Sequence, residues 1–295
     1  MAGSSNGISR LPDFIAVGPP RTGTTWLHRV LRGHVNLPSV KETHFFAYNY
    51  HLGLNWYRSY FRDCFADLPT GEIAPTYFDH IEAPERIASV VPRCRIICSL
   101  RDPVERVYSH YKVWLRGGLV EGPFDYAAQA CQLGATASYA SNLRAWQRTF
   151  GAGNVLVVLY DDLRANPQLF LDSVCGFIGI ARVDLSESPG ADSPVNRSAR
   201  MPRNPMLARQ IRRLRAALIR RRHWRLGRLL EAGSPLWEFF FTGGNPFPPL
   251  DPTVEANLRE LLRPEIEELE LLLDRDLSAW KLPATGPAKR IAPRL

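Results

Sequence analysis

The feature that most constrains the fold is a loop of small residues, Gly18–Thr25, between an apolar run and a helical pattern. The run before it, Phe14–Val17, has the composition of a buried strand, and apolar residues recur at helical spacing from Trp26 to Leu31. A strand that enters a helix through such a turn directs backbone N–H groups and the positive end of a helix at one point. The segment therefore predicts a binding site for a phosphate-like anion.

The loop differs from the Walker A phosphate loop. The pattern G-x-x-x-x-G-K-[ST] places Lys where this chain has Thr24, and the cation of the loop is Arg21 instead. This difference argues against the usual nucleoside triphosphate chemistry. A P-loop-like nucleotide kinase or NTPase with an altered loop stays open as an alternative, as does a nucleotide-binding protein without catalysis.

A second junction of the same kind follows the apolar strand pattern of residues 94–100. Pro103 suits the first turn of a helix, which puts Arg101 at the end of the strand and Ser109 about two turns into the helix. Because the carboxyl ends of parallel strands form one rim of a sheet, we expect both junctions to face one ligand.

Together, P-R-T-G-T-T-W-L and L-R-D-P-x-E-R-x-Y-S-H-Y resemble the sulfotransferases that use 3′-phosphoadenosine 5′-phosphosulfate (PAPS), in the bacterial and heparan-sulfate-type branch. The resemblance implies PAPS as co-substrate and transfer of its sulfuryl group to a hydroxyl or amine. It implies that the first loop holds the 5′-phosphosulfate, that Arg101 and Ser109 hold the 3′-phosphate, and that a late basic loop closes over the nucleotide. The nucleotide-binding residues that it implies are Arg21, Thr22, Gly23, Thr24, Thr25, Trp26, Arg101, Ser109 and Arg197. Trp26 faces either the adenine or the core.

The segment Lys41–Phe46 carries the residue types that the reaction needs, a base near the acceptor and a cation near the transferred group. If the segment is extended, Glu42 and His44 share one face, and Lys41 and Thr43 share the other. The segment resembles the K-E-x-H-F-F region of the heparan-sulfate-type enzymes, which implies Glu42 as the base. His44 is the alternative base, as in the small-molecule branch. Lys41 and Arg21 are the expected cations, although Lys41 also suits a surface position, and we expect no metal.

The segment Glu72–Phe78 departs from the heparan-type pattern E-K-[ST]-P-x-Y-F, because Ile73 stands where that pattern has Lys. The departure weakens the case for a polysaccharide acceptor. The acceptor therefore stays open among a glycan, a lipid and a hydroxylated secondary metabolite.

Alternating strand and helix patterns predict an α/β fold, a mostly parallel central sheet flanked by helices in the P-loop-like sulfotransferase fold. We expect a flexible tail over residues 1–12 and one domain over residues 13–295, because a chain of 295 residues can bury one large core. The predicted strands cover residues 13–17, 71–74, 94–100 and 154–160. The predicted helices cover residues 24–34, 54–62, 83–91, 103–116, 138–150, 167–178, 205–231 and 252–273.

The net charge of +8 is concentrated in Arg209–Arg228, which contains nine Arg and no acidic residue. This helix is either a basic surface for an anionic acceptor or membrane, or a solvated helix partly neutralised by the acidic helix Val254–Leu273. No nucleic-acid-reading motif accompanies the charge, so we expect no nucleic-acid partner. The late apolar segment Leu236–Phe241 either lines an acceptor pocket or packs on the sheet.

The cysteine pattern and the lack of a recognisable leader predict a cytoplasmic protein. The five cysteines are scattered, and Cys94 and Cys98 share one strand face, so we expect buried thiols there rather than a disulfide. No apolar run reaches the length of a membrane span.

Overall fold

The computed structural model describes residues 10–62, 64–117, 119–120, 122–124, 138–187, 200–220 and 243–283. The chain divides into two compact units. The described residues of the first unit lie in 10–102, 138–187 and 261–283, and those of the second lie in 103–124, 200–220 and 243–260. The single domain over residues 13–295 and the flexible tail over residues 1–12 stay predictions.

A parallel sheet of four strands organises the first unit, in the order β2-β1-β3-β4. The strands are β1 (Phe14–Val17), β2 (Gly71–Ile73), β3 (Arg95–Leu100) and β4 (Val155–Leu159). In the register of the sheet, Ile15 of β1 lies beside Glu72 of β2 and Ile96 of β3. Strands β1, β3 and β4 are nearly continuous apolar runs, as expected where helices flank a sheet, whereas β2 contains Glu72. The positions of the four strands confirm all four predicted strands.

The helices agree with the predicted pattern. In chain order they are α1 (Thr24–Leu31), α2 (Leu54–Arg58), α3 (Ala83–Val90), α4 (Pro103–Arg116), α5 (Tyr139–Phe150), α6 (Tyr160–Ala165), α7 (Pro167–Ile178), α8 (Pro205–Arg220) and α9 (Pro252–Leu273). A π-helix covers Phe45–Asn49, and short 3₁₀ turns cover Tyr50–Leu52, Ser59–Phe61, Pro75–Tyr77, Ala152–Asn154, Leu185–Glu187 and Ser278–Lys281. The first helix ends earlier than predicted, since Gly33 follows it with a φ of 92°.

Helices α1 and α7 supply much of the core against the sheet. Their buried apolar residues, among them Leu27, Leu31 and Leu171, join Ile97 of β3 in one cluster. The start of α7 follows from its sequence, because the side chain of Asn166 accepts a hydrogen bond from Leu169 N at 3.1 Å. Burial of this kind contributes roughly 1.5–3 kcal/mol for each large apolar side chain.

The second unit contains α4, α8, the first part of α9 and a small antiparallel sheet that the sequence did not predict. Its strands are β5 (Arg200–Pro202) and β6 (Gly243–Pro246). The rings of Tyr108 and Tyr111 in α4 stack with centroids 6.0 Å apart. Residues 221–242, which include Leu236–Phe241 and the last part of the predicted Arg-rich helix, lie outside the described residues.

The cysteines behave as predicted among the residues that the structure describes. Cys94, Cys98 and Cys175 are buried and Cys64 is partly buried, all as free thiols. Burial raises the pKa of the Cys98 thiol well above its ordinary value. Over the same parts of the chain, no helix combines the length and the apolar character that crossing a membrane requires.

Candidate functional site

The loop between β1 and α1, which we call the anion loop (Gly18–Thr25), has an unusual backbone. Gly18, Arg21 and Gly23 have φ values of 134°, 82° and 96°. A Cβ on Gly18 would lie 2.2 Å from the carbonyl oxygen of Ser99, so only glycine fits there. A positive φ at Arg21 costs on the order of 1–3 kcal/mol and persists only where the surroundings impose it. The loop is therefore held in a shape that its residues would not adopt alone.

Hydrogen bonds from buried side chains hold the anion loop against β3. Thr22 is fully buried, and its hydroxyl donates to the carbonyl of Pro19 at 3.0 Å. Ser99 donates to the carbonyl of Thr22 at 2.6 Å. Gly23 occupies the N-cap of α1, and no side chain caps that helix. The N-terminal end of α1 thus closes a preformed loop, which is the arrangement that binds phosphate-like anions.

Arg101 lies at the end of β3 and contacts the anion loop, as the sequence predicts. Its Nη1 donates to the carbonyl of Arg21 at 3.3 Å, and its guanidinium lies 4.5 Å from the ring centroid of Tyr160 in α6. Ser109 lies in the second turn of α4, in the second unit. Arg197 lies outside the described residues.

Lys41 joins the anion loop to the candidate base. Its Nζ donates to Thr25 Oγ1 at 2.9 Å and lies 3.2 Å from Glu42 Oε1. The other Glu42 oxygen lies 4.0 Å from His44 Nε2, and the Nδ1 of that ring lies 3.0 Å from the hydroxyl of Thr76. A cation, a carboxylate and an imidazole therefore lie side by side next to the loop.

The two-face prediction required an extended segment, and that condition is not met, because Lys41–His44 is not a regular strand. Lys41 contacts the neighbouring Glu42. His44 has a φ of 53° and turns the chain into the π-helix Phe45–Asn49. Only Thr43 points inward, where it is 3% exposed.

Sequence reasoning missed the role of Glu72, which is fully buried in β2. Its Oε1 accepts hydrogen bonds from Thr43 N at 2.9 Å and Thr43 Oγ1 at 2.7 Å. Its Oε2 accepts from Tyr57 at 2.8 Å and Tyr77 at 3.1 Å. Burial raises the pKa of the Glu72 carboxyl, while the hydrogen bonds from Thr43, Tyr57 and Tyr77 oppose that rise. The sequence did contain one signal of this role, a glutamate within a predicted strand of the central sheet. A carboxylate buried there requires hydrogen-bond partners.

His28 in α1 is a second residue that sequence reasoning missed. Burial lowers the pKa of its imidazole, and the positive charges of Lys41 and Arg32 lower it further. The ring is therefore neutral at pH 7, and it limits the positive charge around Lys41.

Trp26 and Ile73 lie in the apolar core of the first unit. Trp26 is 8% exposed and packs edge to face on Phe170, with ring centroids 5.9 Å apart. This favours packing for Trp26, and its contact with the adenine stays a prediction. Ile73 is fully buried in the same cluster. No group of three or more His, Cys, Asp or Glu side chains in the described ranges is arranged to hold a metal ion.

Comparison with known families and proteins agrees with this site. Residues 11–188, which contain the anion loop, Lys41–His44 and Arg101, match the sulfotransferase domain family. The chain is 33% identical over 196 residues to the mouse (Mus musculus) bifunctional heparan sulfate N-deacetylase/N-sulfotransferase 4, and 33% identical over 194 residues to the mouse heparan sulfate glucosamine 3-O-sulfotransferase 3B1. The matches cover 58% and 61% of this chain but only 22% and 49% of those relatives.

Among solved structures, the chain is similar to the crystal structure of a sulfotransferase from Alicyclobacillus acidocaldarius. The TM-score is 0.67, with 19% identity, and the match covers 92% of this chain and 100% of that one. This similarity is one of fold, and it confirms the predicted P-loop-like sulfotransferase fold.

Proposed function

Because the chain belongs to the sulfotransferase domain family, we propose that it transfers a sulfuryl group from PAPS to a hydroxyl or amine of an acceptor. The observation that carries this proposal is the contact of Lys41 with both Thr25 of the anion loop and Glu42. It places a cation and a carboxylate beside a loop built for an anion. Sulfuryl transfer needs these groups together.

The residues of the first unit fit the nucleotide of PAPS. The anion loop has the positive-φ backbone and the uncapped helix N-terminus that suit a 5′-phosphate. A Cβ at Gly23 would lie 2.8 Å from Leu163 Cδ2, so the close packing at this position favours glycine. Arg21 is the proposed cation for the sulfonate or the bridging oxygen. Arg101 is the proposed ligand of the 3′-phosphate. Ser109, which the resemblance implies for the same phosphate, lies in the second unit and stays a prediction. PAPS supplies the activated sulfuryl group.

We assign the base to Glu42 and the stabilising cation to Lys41. Glu42 has a side chain only 18% exposed, and one of its oxygens lies against Lys41. A carboxylate at this position can accept the proton of the acceptor, while the ammonium of Lys41 stabilises negative charge that develops nearby. The contact between His44 Nδ1 and Thr76 supports an orienting role for that imidazole rather than the role of base.

The acceptor carries a hydroxyl or amine, and we propose a glycan as the first class to test. The names of the two mouse relatives refer to N-sulfation and to 3-O-sulfation of heparan sulfate or its glucosamine. The heparan-type pattern has Lys where this chain has Ile73, and Ile73 is buried in the core. This chain therefore has no positive charge at that position. Lipids and hydroxylated secondary metabolites complete the panel.

The test is transfer of labelled sulfate from PAPS to this panel of acceptors. We expect label in at least one acceptor with stoichiometric release of adenosine 3′,5′-bisphosphate. The matched control is Glu42→Gln, which should bind the nucleotide and transfer little label. Failure to bind adenosine 3′,5′-bisphosphate, together with no transfer to any acceptor, would contradict the proposal.

Helix α8 supports a second, peripheral contact with an anionic surface. Leu207 and Leu214 are 40% and 54% exposed, and Arg213 is exposed beside them. A helix that exposes both apolar and basic residues suits the surface of an anionic membrane. Sedimentation with phosphatidylserine vesicles, compared with phosphatidylcholine vesicles, tests this contact. The cytoplasmic location stays a proposal, which fractionation of the native host would test.

A further inference from the structure

We propose that Glu72 is a positioning residue that fixes the base-bearing segment, Lys41–His44, relative to the anion loop. The proposal deepens the proposed function and rests on it, because it explains how the base is held for transfer. Glu72 is the first residue of the segment Glu72–Phe78, which keeps the frame of the heparan-type pattern, and the sequence alone gives it no role.

The Glu72 carboxylate binds the base-bearing segment at Thr43, its buried residue. Thr43 lies between Glu42 and His44, and both its backbone N–H and its hydroxyl donate to Glu72 Oε1. The Thr43 hydroxyl accepts a hydrogen bond from Phe45 N at 3.1 Å and lies 3.1 Å from the Tyr77 hydroxyl. Glu72 thus holds both the backbone and the side chain of Thr43.

Two tyrosines hold the carboxylate from its other side. Tyr57 and Tyr77 donate to Glu72 Oε2, and burial raises the pKa of both phenols, which keeps them protonated. The Tyr57 ring also stacks on Phe45 with centroids 4.6 Å apart. The same side chains thus orient Glu72 and pack on the residues that follow the base-bearing segment.

The sheet links this carboxylate to the anion loop. Glu72 on β2 is the register partner of Ile15 on β1, and β1 runs directly into the loop. Two adjacent strands therefore set the distance across which Lys41 Nζ reaches Thr25. A carboxylate is required because four donors, the N–H and hydroxyl of Thr43 and the hydroxyls of Tyr57 and Tyr77, converge on its two oxygens. A glutamine would offer one acceptor oxygen and an NH₂ group that donates hydrogen bonds instead of accepting them.

The first test is local and needs no acceptor. In Glu72→Gln we expect the amide of Thr43 to exchange hydrogen about tenfold faster or more, because its hydrogen bond to a charged group is lost. We also expect the side-chain NMR signals of His44 to shift, since its distance from Glu42 changes. Thr43→Val keeps the shape but removes the hydroxyl that accepts from Phe45 N, so it should shift the His44 signals and speed exchange of the Phe45 amide. Thr43→Ser should do neither.

The matched control is Asn36→Ala, which removes another buried polar side chain away from the base. Asn36 Nδ2 donates to the carbonyls of Phe65 and Leu68 at 2.9 and 2.8 Å. We expect this variant to lose thermal stability while the exchange of the Thr43 amide and the side-chain NMR signals of His44 stay as in the unmodified protein. The positioning role is overturned if the control moves both readouts as far as Glu72→Gln does, or if Glu72→Gln and Thr43→Val move neither.

Nucleotide binding separates this inference from the proposed function. Glu72→Gln should bind adenosine 3′,5′-bisphosphate with a dissociation constant within about twofold of the unmodified protein, because Thr22 and Ser99, not Glu72, hold the anion loop. Where an acceptor is identified, kcat should fall about tenfold or more. If the unmodified protein does not bind this nucleotide, the proposed function fails while the exchange result still decides the role of Glu72.

Discussion

The anion loop and the base-bearing segment are held in place by different means. The loop depends on glycine at positive φ and on hydrogen bonds from two hydroxyls, that of its own Thr22 and that of Ser99 in the adjacent strand β3. The base-bearing segment has no regular structure of its own and depends on the buried carboxylate of Glu72 in β2. The comparison teaches that the loop is fixed by backbone geometry and neutral hydrogen bonds, whereas the position of the base is fixed by one charged side chain.

The two regions should therefore fail in different ways. Changes in the base-bearing segment should reduce turnover and leave the nucleotide bound. Changes in the anion loop should affect the contact with the transferred group or the stability of the first unit.

The largest effect is expected from Glu42→Gln, which removes the base. General base catalysis typically contributes about 10²–10⁴-fold, so kcat should fall by that factor while nucleotide binding is kept. Steady-state kinetics and calorimetry measure the two quantities. His44→Ala should reduce kcat less. A fully active Glu42→Gln with an inactive His44→Ala would reverse the assignment of the base.

Arg21→Ala should have the next largest effect, again on kcat. Loss of one group that stabilises developing charge costs about 10²–10³-fold in kcat. Binding of adenosine 3′,5′-bisphosphate should weaken less, because this product has no sulfonate and the loop still holds its 5′-phosphate. Arg21→Lys should recover part of the rate, since it keeps the charge. Equal losses in kcat and in product binding would show that Arg21 contacts the 5′-phosphate itself.

Gly18→Ala tests whether the backbone of the loop is as constrained as its geometry indicates. The new Cβ would meet the Ser99 carbonyl at 2.2 Å, so the free energy of unfolding should fall by about 2–5 kcal/mol. Gly33→Ala is the control, because Gly33 also has a positive φ but has nothing within 4 Å of its Cβ position. It should cost only about 1–2 kcal/mol of backbone strain. Equal losses in chemical denaturation would remove the steric argument.

The smallest effect is expected on the pH dependence of stability, through His28. Because its pKa is lowered from 6.5 by burial, Lys41 and Arg32, the unfolded chain binds a proton more readily than the folded protein. Stability should therefore be fully present above pH 6.5 and decrease as pH falls below it. His28→Gln should reduce the loss of Tm between neutral and acidic pH by about a degree or two. His51→Gln, at an exposed site, is the control and should leave the pH dependence unchanged.

The parts of the fold that the sequence predicts are those with a local signal. The four strands of the parallel sheet and the anion loop follow from apolar runs and from glycines at a strand-to-helix turn, which are features of adjacent residues. The antiparallel pair β5 and β6 was missed because its strands lie far apart in the chain and contain Gly and Pro, which are rare in strands.

The candidate site was predictable by residue type but not by position. Lys41, Glu42 and His44 were identified from their chemistry, but the arrangement of the segment was not predicted, because it is not a regular strand and Thr43 binds a partner in β2. The roles of Glu72 and His28 depend on how deeply each side chain is buried. A single sequence indicates this only for Glu72, as a charged residue within a predicted strand. Contacts between residues distant in the chain are thus what the structure adds.

The central claim is that the first unit binds the nucleotide of PAPS, and calorimetric titration with adenosine 3′,5′-bisphosphate and with AMP tests it most directly. Arg101 contacts the anion loop and is assigned to the 3′-phosphate, and a hydrogen bond to a charged group contributes about 1.5–3 kcal/mol. Adenosine 3′,5′-bisphosphate should therefore bind at least about tenfold more tightly than AMP. Equal affinities for the two nucleotides would contradict the account.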